Sequence, residues 1–221
     1  MRSFTVIDAE QRSDAWKMAR IGRLTGSNAG KMLAKVQKGE AAGRRDLRLQ
    51  LILERLTGKP QEKSDYQSQA MKDGIEREPL AIAAYEAETG LLLEQTGFLS
   101  HDTLMIGASL DAHLGDFEVL VSIKCRQAAA HWDFLRSGII PASAIAQMRH
   151  EAFVCRDTFR EHHYVSWQPD FPDGKQLKVA VYTPKMLDIP GYEVEALRFL
   201  AEVDDELKAI EGWNAVREGV A

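Results

Sequence analysis

The chain is 221 residues long, 45% hydrophobic and carries a formal net charge of -5. That length suits one substantial core, so a single domain over residues 1–221 is expected. No apolar run approaches the roughly 18 residues of a membrane span, and the N-terminal MRSFTVIDAEQRSD lacks the apolar core of a signal peptide. The acidic balance speaks against indiscriminate nucleic-acid binding. A soluble, cytoplasmic protein follows as the expectation, with Cys125 and Cys155 as reduced thiols because their spacing suits neither a metal site nor a disulfide framework.

Residues 13–34 carry a helical pattern: Asp14, Trp16, Met18 and Ile21 open a first segment, Gly22 breaks it, and Thr25 or Ser27 can cap a second. Residues 47–56 (LRLQLILERL) are amphipathic and stop at Thr57-Gly58-Lys59-Pro60. Residues 67–89 read as a long helix, in which Pro79 predicts a kink or a restart because it has no N–H and crowds the preceding turn. After Gly90 the period changes to strands, over 91–100 (LLLEQTGFLS), 103–114 (TLMIGASLDAHL) and 117–125 (FEVLVSIKC), which form a meander. Helices return over Ala128–Ser137 and 142–155, strands over Glu161–Trp167 and Leu177–Tyr182, and a last helix over 192–216. This order predicts an α/β core with a mixed central sheet flanked by helices.

The charges are unevenly placed. Lys31, Lys35, Lys38, Arg44, Arg45 and Arg48 crowd one segment against Glu40 and Asp46, whereas acids gather over residues 202–211. A basic segment on an acidic protein would attract phosphate at one face and repel it elsewhere; a solvated helix surface is the plainer alternative.

Several patterns are eliminated by spacing. GSNAGKM is similar to a phosphate-binding P-loop, but three residues rather than four separate Gly26 from Gly30, and Met32 stands where a hydroxyl would hold magnesium. No G-x-S-x-G surrounds Ser27, Ser109 or Ser122. Adjacent His162 and His163 point to opposite strand faces and cannot chelate one metal together. A helix start with the Thr25 and Ser27 hydroxyls and Arg20 nearby could hold a phosphate, or could simply be an N-cap.

The acidic constellation survives. Asp111 follows the strand MIGASL, Lys124 closes the next strand, and the two can meet across a hairpin, with Glu78 on the preceding helix. Phosphodiester hydrolysis uses carboxylates to hold divalent cations and a lysine to orient the nucleophile or stabilise charge. Ser122 shares a strand face with Lys124, where a carboxylate would complete such a site. A surface hairpin with scattered charge remains the alternative on spacing alone.

Four segments in order, DAWKMARIGRLTGSNAGKML, MKDGIEREPLAIAAYEAETG, GASLDA with VSIKC, and IPASAIAQMRHEAFV, resemble the phage lambda exonuclease and YqaJ viral recombinase family of the PD-(D/E)xK superfamily, over residues 14–184. The resemblance implies a restriction-endonuclease-like core. It implies Mg²⁺, with Mn²⁺ as a possible substitute, on Asp111 and the Ile123 backbone carbonyl. Lys124 would be the catalytic lysine, Glu78 a supporting acid and Gln147 a site-lining residue. Arg20, Thr25, Ser27 and Ser109 would receive the 5′-phosphate of a DNA end, and Lys31, Lys35, Lys38, Arg44 and Arg45 would bind DNA. It further implies a 5′ to 3′ exonuclease on duplex DNA, a homotrimeric ring, and a single-strand annealing protein as partner in recombination.

Three departures stand out. Leu110 and Ala112 replace a proline and a glycine common beside the aspartate, and Ala144 replaces an aromatic. Ser122 sits where the resemblance calls for a metal-binding glutamate, and serine is a poor Mg²⁺ ligand. The resemblance therefore implies impaired turnover. Ser122 reads as an introduced substitution, as a natural variant whose acid has migrated (Glu118 and Asp116 are poorly placed for this), or as the mark of an inactive DNA-end binder. An endonuclease or junction resolvase of the same superfamily is a further alternative.

Overall fold

The computed structural model describes residues 2–61 and 69–218, so the first two positions of the predicted helix over 67–89 lie outside the described residues. In chain order the elements begin with β1 (Phe4–Ile7), α1 (Asp14–Arg20), β2 (Leu24–Thr25), a 3₁₀ turn (Gly26–Asn28), α2 (Ala29–Met32), α3 (Ala42–Thr57) and α4 (Gln69–Thr89). They continue through β3 (Phe98–His101), β4 (Ile106–Ala108), β5 (Ala112–Leu114), β6 (Val119–Cys125), α5 (Ala128–Ser137) and α6 (Ala142–Val154). The chain ends with β7 (Glu161–Trp167), β8 (Leu177–Tyr182), α7 (Pro184–Leu187) and α8 (Ile189–Glu218).

The strands divide between two mixed four-stranded sheets, ordered β1-β3-β4-β2 and β5-β6-β7-β8. The α/β class with flanking helices is as expected, but residues 103–114 are not one strand. β4 pairs with β2 and β3, β5 pairs with β6, and the chain changes sheets across Ser109, Leu110 and Asp111. Gly107 permits this path: a Cβ there would lie 2.2 Å from Phe98 Cζ and 2.6 Å from the Leu99 carbonyl.

Other expectations also change at their ends. Residues 91–97 stay irregular apart from a bridge between Glu94 and His113. Side chains there take the amides a strand would need: Leu91 N–H bonds Thr89 Oγ1 at 3.3 Å, and Leu93 N–H bonds Glu86 Oε1 at 2.8 Å. The helix α4 runs unbroken through Pro79 without the expected restart. Proline has no N–H, so it donates nothing to the Ile75 carbonyl one turn back. The region after α1 is not a second long helix: Gly22 turns the chain at φ 65°, two residues pair as β2, and α2 spans only four residues.

β6 and β7 are parallel and central, buried on both faces. On one face Val121, Ile123, Val165 and Trp167 pack with Ala81 and Tyr85 of α4. On the other, Leu120 and Tyr164 join the main core with α3, α6 and α8. His162 and His163 follow this division: His162 bonds Glu151 of α6 at 2.8 Å, and His163 Nδ1 lies 2.6 Å from the Tyr85 hydroxyl of α4.

Candidate active site

Because Ala112 pairs with Val121, Asp111 falls just past the end of β5, opposite Ser122. Its carboxylate reaches across the open edge of β6. Oδ2 accepts the Ile123 N–H at 2.8 Å and the Lys124 ammonium at 3.1 Å. In an extended strand a residue's N–H and C=O face the same edge, so the Ile123 carbonyl is directed to the Asp111 side as well. Burial disfavours the charge on Lys124, but Asp111 and then Glu151 outweigh it, and the ammonium is held above its ordinary range. Glu78 of α4 faces this pair; burial first, then repulsion from Asp111, raise its carboxyl above the ordinary carboxylate range, against Arg12 and Lys124. Cys125 at the strand end is pushed up to about 11 by burial and by Glu78, so its thiol stays protonated near neutrality.

These groups line a cleft of about 880 Å³ whose walls include Gly26, Ser27, Lys31, Ile75, Glu78, Asp111, Ile123, Lys124, Arg126 and Gln147. That volume lies within the range of small-ligand clefts.

On the other side of the sheet switch stands a second cluster. Arg20 donates from Nη1 to Ser109 Oγ at 3.2 Å, and from Nη2 to Thr25 Oγ1 at 3.4 Å and Ser27 Oγ at 3.5 Å. Trp16 Nε1 donates to the same Ser109 hydroxyl at 2.9 Å, and the guanidinium lies 4.1 Å from the Trp16 ring centroid. Thr25 precedes the 3₁₀ turn without capping it, so its hydroxyl serves Arg20 rather than a helix end. Burial lowers the Arg20 pKa to about 10, with Glu54 acting in the opposite sense, and the side chain stays cationic near neutrality. Among the described residues its hydrogen bonds go to hydroxyls, not carboxylates. A guanidinium so placed keeps its charge available for an anion.

The basic segment does not act as one surface. Lys31 lines the cleft, while Lys38 and Arg45 are exposed. Arg44, expected to bind DNA, instead makes a two-pronged contact with Glu202 of α8 at 2.6 and 2.9 Å and bonds Glu40 at 2.6 Å. Lys35 pairs with Glu195 at 3.1 Å, and Arg48 with Glu206 at 2.6 Å. The basic segment and the acidic helix neutralise each other, because packing α3 on α8 brings opposite charges together. Two cations absent from the sequence reading border the cleft instead. Arg126 follows β6, its guanidinium 5.6 Å from the Tyr164 ring centroid. Arg12 sits in a left-handed backbone conformation at φ 74°.

Ser122 is 2% exposed and does not line the cleft, so the expected ligand position is sealed inside the sheet-to-helix contact. Above it, Gln147 donates from Nε2 to Glu151 Oε1 at 2.8 Å, one turn along α6. Glu151 escaped the sequence reading; its only local signal is the i, i+4 spacing from Gln147.

Among the described residues no group of three or more His, Cys, Asp or Glu side chains is arranged around a common metal position. A hydrated Mg²⁺ needs only one or two carboxylates, the rest being water. Asp111 fits that demand: Oδ2 is held by Ile123 and Lys124, Oδ1 is not engaged in those bonds, and the Ile123 carbonyl and Glu78 stand beside it.

The chain belongs to the YqaJ-like viral recombinase domain family, whose sequence profile matches residues 15–158. It is similar in structure to LHK-Exo, an alkaline exonuclease from Laribacter hongkongensis, at 30% identity and a TM-score of 0.79, over 92% of this chain and 98% of that one. The crystal structure of LHK-Exo in complex with dAMP matches at 32% identity and a TM-score of 0.79, with coverage of 92% and 98%. A phage-related exonuclease from Haemophilus somnus 129PT, 12% identical with a TM-score of 0.59 over 84% of this chain and 96% of that one, shares the fold alone. No curated protein sequence matches. The fold is that of the PD-(D/E)xK nucleases. No helix among the described residues is long and apolar enough to cross a membrane.

Proposed function

We propose that this protein is a nuclease that digests one strand of linear duplex DNA from its 5′ end. One observation carries the reading: the Arg20 cluster and the Asp111–Lys124 pair are joined by the short link at the sheet switch, with Ser109 serving the first and Asp111 the second. A terminal phosphate held by Arg20, Thr25, Ser27 and Ser109 would then be fixed relative to the cutting groups. Proximity of this kind is a large part of catalysis.

In this reading Lys124, oriented by Asp111, stabilises negative charge as it develops on the phosphate, and Gln147 helps position the strand. Glu78, whose carboxyl is raised above the ordinary carboxylate range by burial and by Asp111, is suited to proton transfer beside the pair. Asp111 and the Ile123 carbonyl would hold Mg²⁺, or Mn²⁺ in its place, which would supply Lewis-acid polarisation of the phosphoryl group and a more acidic water. The LHK-Exo complex with dAMP supports a nucleotide as occupant of the cleft. Membership of a viral recombinase family supports a role in single-strand annealing recombination, with an annealing protein as partner. A homotrimer around the duplex and a cytoplasmic location belong to the same proposal.

The test is Mg²⁺-dependent nucleotide release from linear duplex bearing 5′-phosphate, compared with 5′-hydroxyl, circular and branched DNA. Release favouring phosphorylated ends is expected; cleavage of circles or junctions would redirect the proposal to an endonuclease or resolvase. The neutral Ser122 favours a second reading, a DNA-end binding module without turnover, which end binding without any release would establish.

A further inference from the structure

The groups around Ser122 point to a displaced acid. On β6, Leu120, Ser122 and Lys124 share one face, and in the parallel register they lie beside His162, Tyr164 and Ser166 of β7. Glu151 of α6 covers this face. Its Oε2 accepts from His162 Nε2 at 2.8 Å beside Leu120, and its charge acts on Lys124 two positions beyond Ser122. Position 122 therefore lies between the two groups that Glu151 engages.

The carboxylate is 2% exposed, and its other oxygen accepts from Gln147, which lines the cleft. Burying a carboxylate is costly unless its oxygens are satisfied, and here both have donors. His162 carries part of that cost. With Nε2–H given to Glu151, its buried Nδ1 has no hydrogen-bond partner among the described residues, so the ring's one polar contact there is with Glu151. The cleft wall is also shaped around this acid: a Cβ on Gly26 would come within 3.4 Å of Glu151 Oε1 and 3.2 Å of Gln147 Cγ.

We propose that Glu151 supplies from helix α6 the negative charge that Ser122 does not supply from strand β6, and acts as a positioning residue that holds Gln147 and Lys124 in the cleft. Serine at 122 and glutamate at 151 are then complementary. A glutamate at 122 would set two buried carboxylates against each other in the same sheet-to-helix contact. The inference rests on the nuclease reading, which identifies the cleft as the site.

The experiment compares the wild-type chain, Glu151→Gln, Ser122→Glu and the double variant Ser122→Glu/Glu151→Ser. Three quantities are read: kcat and KM on 5′-phosphorylated linear duplex with Mg²⁺, Mn²⁺ affinity by calorimetry without DNA, and DNA-end binding in EDTA. Supporting groups of this kind are worth about 10- to 100-fold in metal affinity or activity. Glu151→Gln, which preserves shape, should lose about that much in kcat and about tenfold in Mn²⁺ affinity, with KM and end binding near wild type. Ser122→Glu should not gain, and the double variant should recover about tenfold over either single change. A folded Glu151→Gln protein with wild-type kcat and Mn²⁺ affinity would overturn the inference, as would a double variant no better than its better parent. If the wild-type chain releases no nucleotide, the nuclease reading fails on its own, and the Mn²⁺ titrations decide the role of Glu151 by the same comparisons. Absence of Mn²⁺ binding by the wild-type chain overturns it outright. If Ser122→Glu does not fold, Glu151→Gln carries the test.

Discussion

Arg20 and Arg44 are both partly buried arginines on helices, and the sequence marks both as candidates for phosphate. Their surroundings separate them. Arg20 bonds three hydroxyls and stacks on Trp16, while Arg44 is gripped by Glu202 and Glu40. The hydrogen bonds that Arg44 donates to Glu202 lead in raising its pKa above the ordinary guanidinium value, whereas burial lowers that of Arg20. Hydroxyls orient a guanidinium without cancelling its charge; carboxylates do both. The same contrast divides the whole basic segment, since only Lys31 of its members lines the cleft.

The contrast is bounded above by the centre of the cleft. Lys124→Ala removes the cation that pairs with Asp111 at 3.1 Å and leaves that partly buried carboxylate without it, and a loss of about 10²- to 10³-fold in kcat is expected, measured as nucleotide release with DNA-end binding retained. Equal activity would place the chemistry elsewhere.

Arg20→Ala should come next. Hydrogen bonds to charged groups are worth about 1.5–3 kcal/mol, so KM for 5′-phosphorylated ends should rise by about 10- to 100-fold, whereas 5′-hydroxyl ends should be bound almost as before. A loss common to both kinds of end would mean that Arg20 is structural.

A stability experiment probes the helix that joins the two clusters. His150 of α6 is fully buried, donates from Nε2 to the Gly107 carbonyl at 2.9 Å and accepts the Tyr192 hydroxyl at Nδ1, 2.7 Å away. Burial pushes its pKa down to about 4, with the Gly107 hydrogen bond opposing and Arg20 assisting. The unfolded chain, with an ordinary imidazole, then binds more protons than the fold between about pH 6.5 and 4. Stability is fully present above the ordinary histidine pKa and falls as pH drops through this window, by about 3 kcal/mol in all. Denaturant unfolding of the wild type and His150→Gln between pH 4 and 8 reads it; parallel pH profiles would remove the assignment.

The smallest effect belongs to the other half of the comparison. Arg44→Ala should leave end binding and KM within about twofold while costing about 1 kcal/mol of stability, in keeping with a partly exposed ion pair. A large rise in KM would return Arg44 to the DNA-binding surface.

Much of this arrangement is written locally. The alternation in VLVSIKC marks a strand with Ser122 and Lys124 on one face, and the strands Glu161–Trp167 and Leu177–Tyr182 form as their residues suggest. Opposite orientations for His162 and His163 follow from a period of two. Asp111 and Lys124 meet because a turn joins short antiparallel strands, a contact of neighbours in sequence. The segment 103–114 misled because its apolar run fits one long strand, and nothing local announces that the backbone leaves one sheet at Ser109 to enter another at Ala112. Glu151 was hidden for a similar reason: a glutamate on a helix is commonplace until His162 and Gln147 close around it.

Periodicity, turn chemistry and capping act over a few residues, and they suffice for the strands β6, β7 and β8, the helices α5 and α6, the faces of β6 and the candidate pair Asp111 and Lys124. The tertiary structure alone decided which charges remain free. Arg44 is neutralised by Glu202, 158 positions away, and the acid that engages His162 and Gln147 arrives from helix α6. Electrostatic pairing depends on distance through space, which only the packed chain sets.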